Sequence, residues 1–383
     1  MIFIKPKSTK FYKMPTGVYF GRESLIKAPR ILKAKKELKK GLLINGSHLS
    51  NDFYFSKFLL DLSKSIEVVQ YPFKISKSNF SSINELTDFC RFHKFNFILA
   101  VGGGTILDTA KCAAILSFNK GKIEDYVKTK TKVLQNKGLL FIAIPTTAGT
   151  GSEVSPWATV WGNDYKKYSL SSSQFMFPDI SFVDPALTDL LPPYETATSG
   201  IDALCQAIES YWNVNHNPVS GKYALEAIKI ISCNLESTVN KPNQKFRNKM
   251  AWGSLLSGLA FSNTQTTICH AVSYPISIHW KIAHGQATSL TLPVFFEYIV
   301  PILPINRQKK LLEAIGSKTI NKAADKIRKL MLNIGLKTSF RELNIDKKGI
   351  GIITKEGFHP DRMKNSPLVP SLRELKNLLE SIL

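Results

Sequence analysis

The residues best suited to chemistry are concentrated in two segments. In GIDALCQAIESYW (200–212), Asp202, Gln206 and Glu209 are four and three residues apart, so a helix puts them on one face. Such a row could be a solvated stripe, a capping arrangement or part of a metal site. In CHAVSYPISIHWKIAHG (269–285), His270, His279 and His284 are three of only seven histidines. His270 and His284 are separated by close to four helical turns, so on one unbroken helix they would face the same way about 21 Å apart. They can share an ion only if the segment breaks between them, and Pro275 followed by IHWKIAHG offers that break. Taken alone, these histidines read as satisfied core or surface residues. Joined to Asp202 they give one carboxylate and two imidazoles, a set that suits Zn(II) or Fe(II) with positions left for substrate.

Two loops add a second kind of chemistry. FNFILAVGGGTILDTAKCAAI places Gly102, Gly103 and Gly104 between an apolar run and a helix whose first turn carries Thr105 and Asp108. Amides at such a helix start favour a phosphate, and glycines let it approach closely, although a tight strand-to-helix turn needs glycines too. The motif is neither GxGxxG nor a P-loop. IPTTAGTGSEVSP (144–156) leaves another apolar run with Thr146, Thr147, Thr150 and Ser152 beside further glycines. Two such loops at strand ends are what open α/β sheets use to bind nucleotides.

The elements that must position these residues follow from the pattern along the chain. Its 383 residues exceed one compact core, so two domains are expected. GLLIN (41–45), FNFILAV (95–101), LLFIAI (139–144) and ISFV (180–183) read as buried strands of a parallel sheet, and FYKMPTGVYFG as an edge strand or hairpin before them. After DLLPPYETATSG the texture becomes helical with no convincing strand, so the expected domains are 1–190, α/β, and 191–383, all-helical. The tail reads as a plain amphipathic helix, SLRELKNLLESIL.

With 51 Lys and Arg against 29 Asp and Glu the chain carries +22, but its basic residues are scattered pairs such as Lys35-Lys36 and Lys309-Lys310. That describes a solvated surface rather than a nucleic-acid footprint. Five cysteines standing singly, an opening too short in apolar residues for a signal peptide and no bilayer-length apolar span lead to the expectation of a soluble cytoplasmic protein with reduced thiols. Neither nucleic acid nor membrane is expected as a partner, and a homo-oligomer, in the first instance a dimer, is.

In their order and spacing, GGGTILDTAK, IPTTAGTGSEV, DPALTDLLPPYETATSGIDALCQAIESYW and FSNTQTTICHAVSYPISIHWKIAHG resemble the iron-containing (group III) alcohol dehydrogenases. The resemblance implies a dehydroquinate synthase-like fold: a dinucleotide-binding α/β domain, a helical domain and an active site between them. It implies that Gly103, Gly104, Thr105 and Asp108 hold the pyrophosphate of NADH or NADPH. Thr146, Thr147 and Thr150 would line the adenine and ribose region, with Lys167 near the nicotinamide ribose. Asp202, His270 and His284 would be ligands of Fe2+ or Zn2+, and Glu209 reads as structural.

Two positions depart from the family pattern. The usual iron site has a histidine one turn after the aspartate, where this chain has Gln206, and another where it has Tyr274. Gln206 can offer only a neutral amide oxygen. Glycerol dehydrogenases, in the wider superfamily, bind zinc with one aspartate and two histidines, so a metal is still expected. An acid that would exclude NADPH is missing at the position aligned with Gly46, and Ser47 or His48 could bond a 2′-phosphate, which favours NADPH.

Gln206 together with KKYSL resembles the phosphonoacetaldehyde reductases of phosphonate biosynthesis and implies reduction of phosphonoacetaldehyde to 2-hydroxyethylphosphonate. Lys281 is then the candidate cation for the phosphonate, and Tyr274 or His279 the candidate proton donor. The alternatives are a short-chain alcohol or diol dehydrogenase acting on uncharged substrates, and a non-catalytic nucleotide- or nucleic-acid-binding descendant. The second is disfavoured because Asp202, His270 and His284 are all present.

Overall fold

The computed structural model describes residues 2–3, 10–49, 52–72, 74–162, 164, 166–358 and 363–383. The chain forms two compact units, one spanning Lys13–Asp189, the other Leu190–Leu383 with the described residues before Lys13. The expected first domain began at residue 1. The structure joins the opening residues to the helical unit instead: Ile2–Phe3 pairs antiparallel with Leu368–Val369, Lys10 Nζ donates to Val214 O, and Tyr12 Oη donates to Leu259 O.

The unit Lys13–Asp189 is built on a parallel six-stranded sheet. Its strands run in the order Gly17–Phe20, Ile180–Val183, Leu140–Pro145, Phe97–Gly102, Lys40–Asn45, Glu67–Gln70. Alternation within the central strand explains its unbroken apolar run. Phe97, Leu99 and Val101 join one buried cluster with Leu32, Phe58 and Ile142, while Ile98 and Ala100 join the other with Leu107, Ala110 and Ala143. A strand covered on both faces has no polar side to show.

All four expected central runs are strands, and the PTGVYFG segment is the edge strand Gly17–Phe20, paired in parallel and not as a hairpin. Glu67–Gln70, the opposite edge, has exposed ends and no apolar run to betray it. An antiparallel ribbon, Trp157–Trp161 with Lys167–Ser171, also went without a sequence expectation.

The helical unit opens at Pro193, where proline suits a first turn that has no use for its missing N–H. The helix Pro193–Trp212 is buried along nearly its whole length, and Pro218–Asn240, Gln244–Thr264 and His284–Ile299 pack on it. Asn217 and Asn243 cap two of these helices by accepting from amides of their first turns. The tail helix is Leu372–Glu380, started by a Ser371–Glu374 capping box. Among the described residues no helix is long and apolar enough to cross a membrane, and all five cysteines are free.

Candidate active site

In the sheet unit, three loops leave the carboxyl ends of neighbouring strands. Asn45 is in register with Val101, and Gly102 with Pro145, so Gly46, Gly103 and Thr146 emerge side by side. The Gly46 amide donates to Val101 O and the Thr146 amide to Gly102 O, which ties the three exits together. Ser47 is exposed in a short 3-10 turn; the side chain of His48 lies outside the described residues.

Gly103 caps the helix Gly104–Leu116, and Thr105 stands exposed on its first turn. The threonine loop presses directly on the glycines. A Cβ at Gly104 would lie 2.8 Å from Thr150 Cγ2, and one at Gly103 3.5 Å from Thr147 Cγ2. Thr147 and Thr150 are half-buried beside this turn, whereas Thr146 is buried and its hydroxyl has no partner among the described residues.

Asp108 ties the glycine helix to the segment that follows the threonine loop. Its Oδ1 accepts from Ser152 Oγ at 2.6 Å and its Oδ2 from the Thr159 amide at 2.8 Å, so the carboxylate holds both Ser152 and the ribbon strand Trp157–Trp161. Burial raises its pKa, opposed by Lys111. Lys167 Nζ lies 5.7 Å from the centroid of the Trp161 ring and is near enough to Asp108 to oppose that rise as well.

In the helical unit, Asp202, His270 and His284 come together, with one ligand atom from each within 4.8 Å of the others. His270 Nε2 is 3.5 Å and His284 Nε2 3.9 Å from Asp202 Oδ1. Two donors each about 2.1 Å from a tetrahedral ion are about 3.4 Å apart, so these separations fit a shared cation. Two further observations agree. Among the described residues, His270 Nε2 and Gln206 Oε1 are buried polar atoms with no hydrogen-bond partner.

The local sequence explains the convergence. His270 sits in the helix Ile268–Trp280, which continues through Pro275; the break comes later, at Lys281 in the left-handed conformation (φ 55°). His284 then starts the next helix. Gly285 permits this, since a Cβ there would fall 1.8 Å from Thr198 O and 3.2 Å from Asp202 Cβ.

Glu209 was expected to be structural and proves to be the anchor of His270. Fully buried, it accepts at Oε1 from Thr267 Oγ1 (2.7 Å), the Cys269 amide (2.8 Å) and the His270 amide (3.4 Å), and at Oε2 it bonds His270 Nδ1. Held at Nδ1 by a carboxylate, the ring turns its Nε2 to Asp202, the arrangement that orients metal-ligating histidines. Burial pulls the His270 pKa down, but Glu209 and Asp202 more than offset it and hold the ring up at about 9.

Gln206 Nε2 donates to Asp202 Oδ2 at 2.9 Å, which orients the side chain and leaves its Oε1 unused. Thr288 Oγ1 donates to Oδ1 at 3.2 Å, and together the two fix the carboxylate. Tyr274, one turn beyond His270, stacks on the His284 ring at 6.1 Å between centroids and 11° between planes. His279 is not brought to the cluster. Nine residues make two and a half turns, which puts it on the opposite face from His270, and its Nε2 bonds Glu356 at 2.7 Å. Lys281 is exposed at the helix end, in the left-handed conformation.

Glycine and threonine loops on a parallel sheet, with a carboxylate and two imidazoles converging in a helical unit, are the working parts of a dehydrogenase. The chain belongs to the iron-containing alcohol dehydrogenase family: that family's profile matches residues 15–185 and the profile of its C-terminal domain matches 196–383. It is 34% identical over 291 residues to long-chain-alcohol dehydrogenase 1 of Geobacillus thermodenitrificans, covering 73% of each chain. To the sulfoacetaldehyde reductase of Bilophila wadsworthia it is 30% identical over 316 residues, 78% of this chain and 80% of that one. Among solved structures, the sulfoacetaldehyde reductase from Bifidobacterium kashiwanohense in complex with NAD+ superposes with a TM-score of 0.90 at 29% identity, covering 98% of this chain and 99% of that one. The protein is an oxidoreductase of this family, acting on alcohols and aldehydes.

Proposed function

We propose that the protein reduces a small aldehyde to a primary alcohol at the expense of NADPH or NADH, with phosphonoacetaldehyde as substrate and 2-hydroxyethylphosphonate as product. The observation that carries the reaction is the convergence of Asp202, His270 and His284, with the orphaned His270 Nε2 aimed by Glu209. Two sulfoacetaldehyde reductases stand among the similar proteins, and a sulfonate differs from a phosphonate by one atom at the end of the same two-carbon aldehyde. The net charge of +22 suits an anionic substrate.

Asp202, His270 and His284 would hold Fe2+ or Zn2+, and Gly103, Gly104, Thr105, Thr147 and Thr150 the nucleotide, with Lys167 at its ribose. When bound, the dihydronicotinamide supplies a hydride to the aldehyde carbon and the ion supplies Lewis-acid stabilisation of the charge developing on the carbonyl oxygen. The chain's own contribution is to fix donors and protons. Glu209 keeps the His270 proton on Nδ1, and Gln206 and Thr288 hold the Asp202 carboxylate. Tyr274, packed on His284, is the proposed source of the proton that completes the alcohol, and Lys281 the proposed partner of the phosphonate.

The test is NADPH and NADH oxidation with phosphonoacetaldehyde, sulfoacetaldehyde, propanal and a long-chain aldehyde, on metal-loaded protein. The expected result is kcat/KM highest for the two anionic aldehydes, lowered by Lys281→Ala for those alone. Equal or better use of the uncharged aldehydes refutes the substrate and favours the reading suggested by the similarity to a long-chain-alcohol dehydrogenase.

A further inference from the structure

Lys111 takes no part in the chemistry above, yet its charge is buried beneath the nucleotide loops, 2% exposed, two turns into the helix that opens at Gly104. Its Nζ donates to Ser152 O (2.7 Å), Ser152 Oγ (3.1 Å), Ser155 O (2.8 Å) and Trp157 O (3.0 Å). An ammonium has three protons, so one is shared between the two oxygens of Ser152. Because Ser152 Oγ gives its own proton to Asp108 Oδ1, its lone pair faces Lys111. Asp108 Oδ2 takes the Thr159 amide, and the backbone from 152 to 159 therefore hangs on two side chains of a single helix. Directly ahead of that stretch, Thr150 packs on Gly104 and Thr147 on Gly103.

We propose that Lys111 is a positioning residue for coenzyme binding: by gathering the carbonyls of Ser152, Ser155 and Trp157 onto one ammonium, it sets Thr147 and Thr150 against the glycine turn in the arrangement that receives the nucleotide. The inference rests on the coenzyme reading of these two loops. A compact cation is what the place requires, since its donors radiate from one point towards three carbonyls that no apolar side chain could satisfy.

Lys111→Met keeps the stem and removes the donors. With the full-length, metal-loaded protein, the coenzyme KM is expected to rise about tenfold while kcat stays within about twofold. Metal content should be unchanged, and hydrogen exchange of the amides from 147 to 159 should quicken without coenzyme. If Lys111→Met does not fold, Ser152→Ala decides, with a smaller rise of the same kind, about threefold. The proposal is overturned if the folded variant keeps both its coenzyme KM and its loop exchange at wild-type values, or if kcat falls with KM unmoved. Failure of the wild-type protein to use either coenzyme would refute the coenzyme reading instead, and the exchange comparison would still judge the clamp.

Discussion

Glu209→Gln asks whether the helical unit is built around a metal ion. In the native arrangement one carboxylate oxygen accepts from Thr267 Oγ1 and the amides of Cys269 and His270, and the other bonds His270 Nδ1. Glutamine must turn an NH2 group towards one of these sets. Facing His270, it forces the ring to accept at Nδ1 and moves the proton to Nε2, the atom that lies 3.5 Å from Asp202 Oδ1. Facing Thr267 and Cys269, it sets donor against donor in a fully buried place. Either way the His270 lone pair is lost or loosened. Changes in such outer partners cost about 10- to 100-fold in metal affinity, or about 1.4–2.7 kcal/mol. The assay is competition for Zn2+ or Fe2+ against a chelator of known affinity, read alongside bound metal per chain. Coenzyme KM should not change. A variant that holds the ion as tightly as the wild type refutes the assignment of Glu209 as the residue that aims His270.

His279→Ala should leave kcat with any aldehyde within about twofold of wild type, because the ring is paired with Glu356 on the far face of its helix; a loss of 100-fold would restore it as a proton donor. Gly285→Ala should destabilise the helical unit by about 3 kcal/mol in denaturant unfolding and strip it of metal, since the new methyl would meet Thr198 O at 1.8 Å. Gly104→Ala, whose methyl would lie 2.8 Å from Thr150 Cγ2, should raise coenzyme KM and leave metal binding alone. The pH dependence follows from His270. Its folded pKa is raised to about 9 from the ordinary 6.5, so the stability it confers on metal-free protein is complete below about 6.5 and is lost as pH rises through 9. Thermal unfolding of chelator-treated protein between pH 6 and 10 should show that decline, and metal-loaded protein should not, because its imidazole lone pair is already taken.

The sheet was legible in the sequence because strands covered on both faces leave continuous apolar runs, as at Phe97–Gly102. Glu67–Gln70 was not, because an edge strand with exposed ends carries no such signature. The need for a chain break between His270 and His284 was also legible, and it falls within the expected IHWKIAHG, at Lys281 rather than at the proline. Proline at 275 is accommodated within the helix, and the turn is made by a lysine in the left-handed conformation, which composition does not announce. Glu209 could have been suspected, since it shares a helical face with Asp202 and Gln206 in a segment otherwise apolar. What it bonds is 58 to 61 residues away, and only folding shows that. Lys111 stands three residues after Asp108 in the same helix, but its acceptors are backbone carbonyls, which no residue pattern marks.

The most direct measurement is reconstitution. Protein stripped of metal with a chelator is titrated with Fe2+ or Zn2+ while NADPH oxidation by phosphonoacetaldehyde is followed, for the wild type and for Asp202→Ala. Activity should return in proportion to one ion per chain in the wild type and fail to return in the variant. Equal aldehyde reduction by the stripped wild type, or by Asp202→Ala, would contradict a reaction organised around Asp202, His270 and His284.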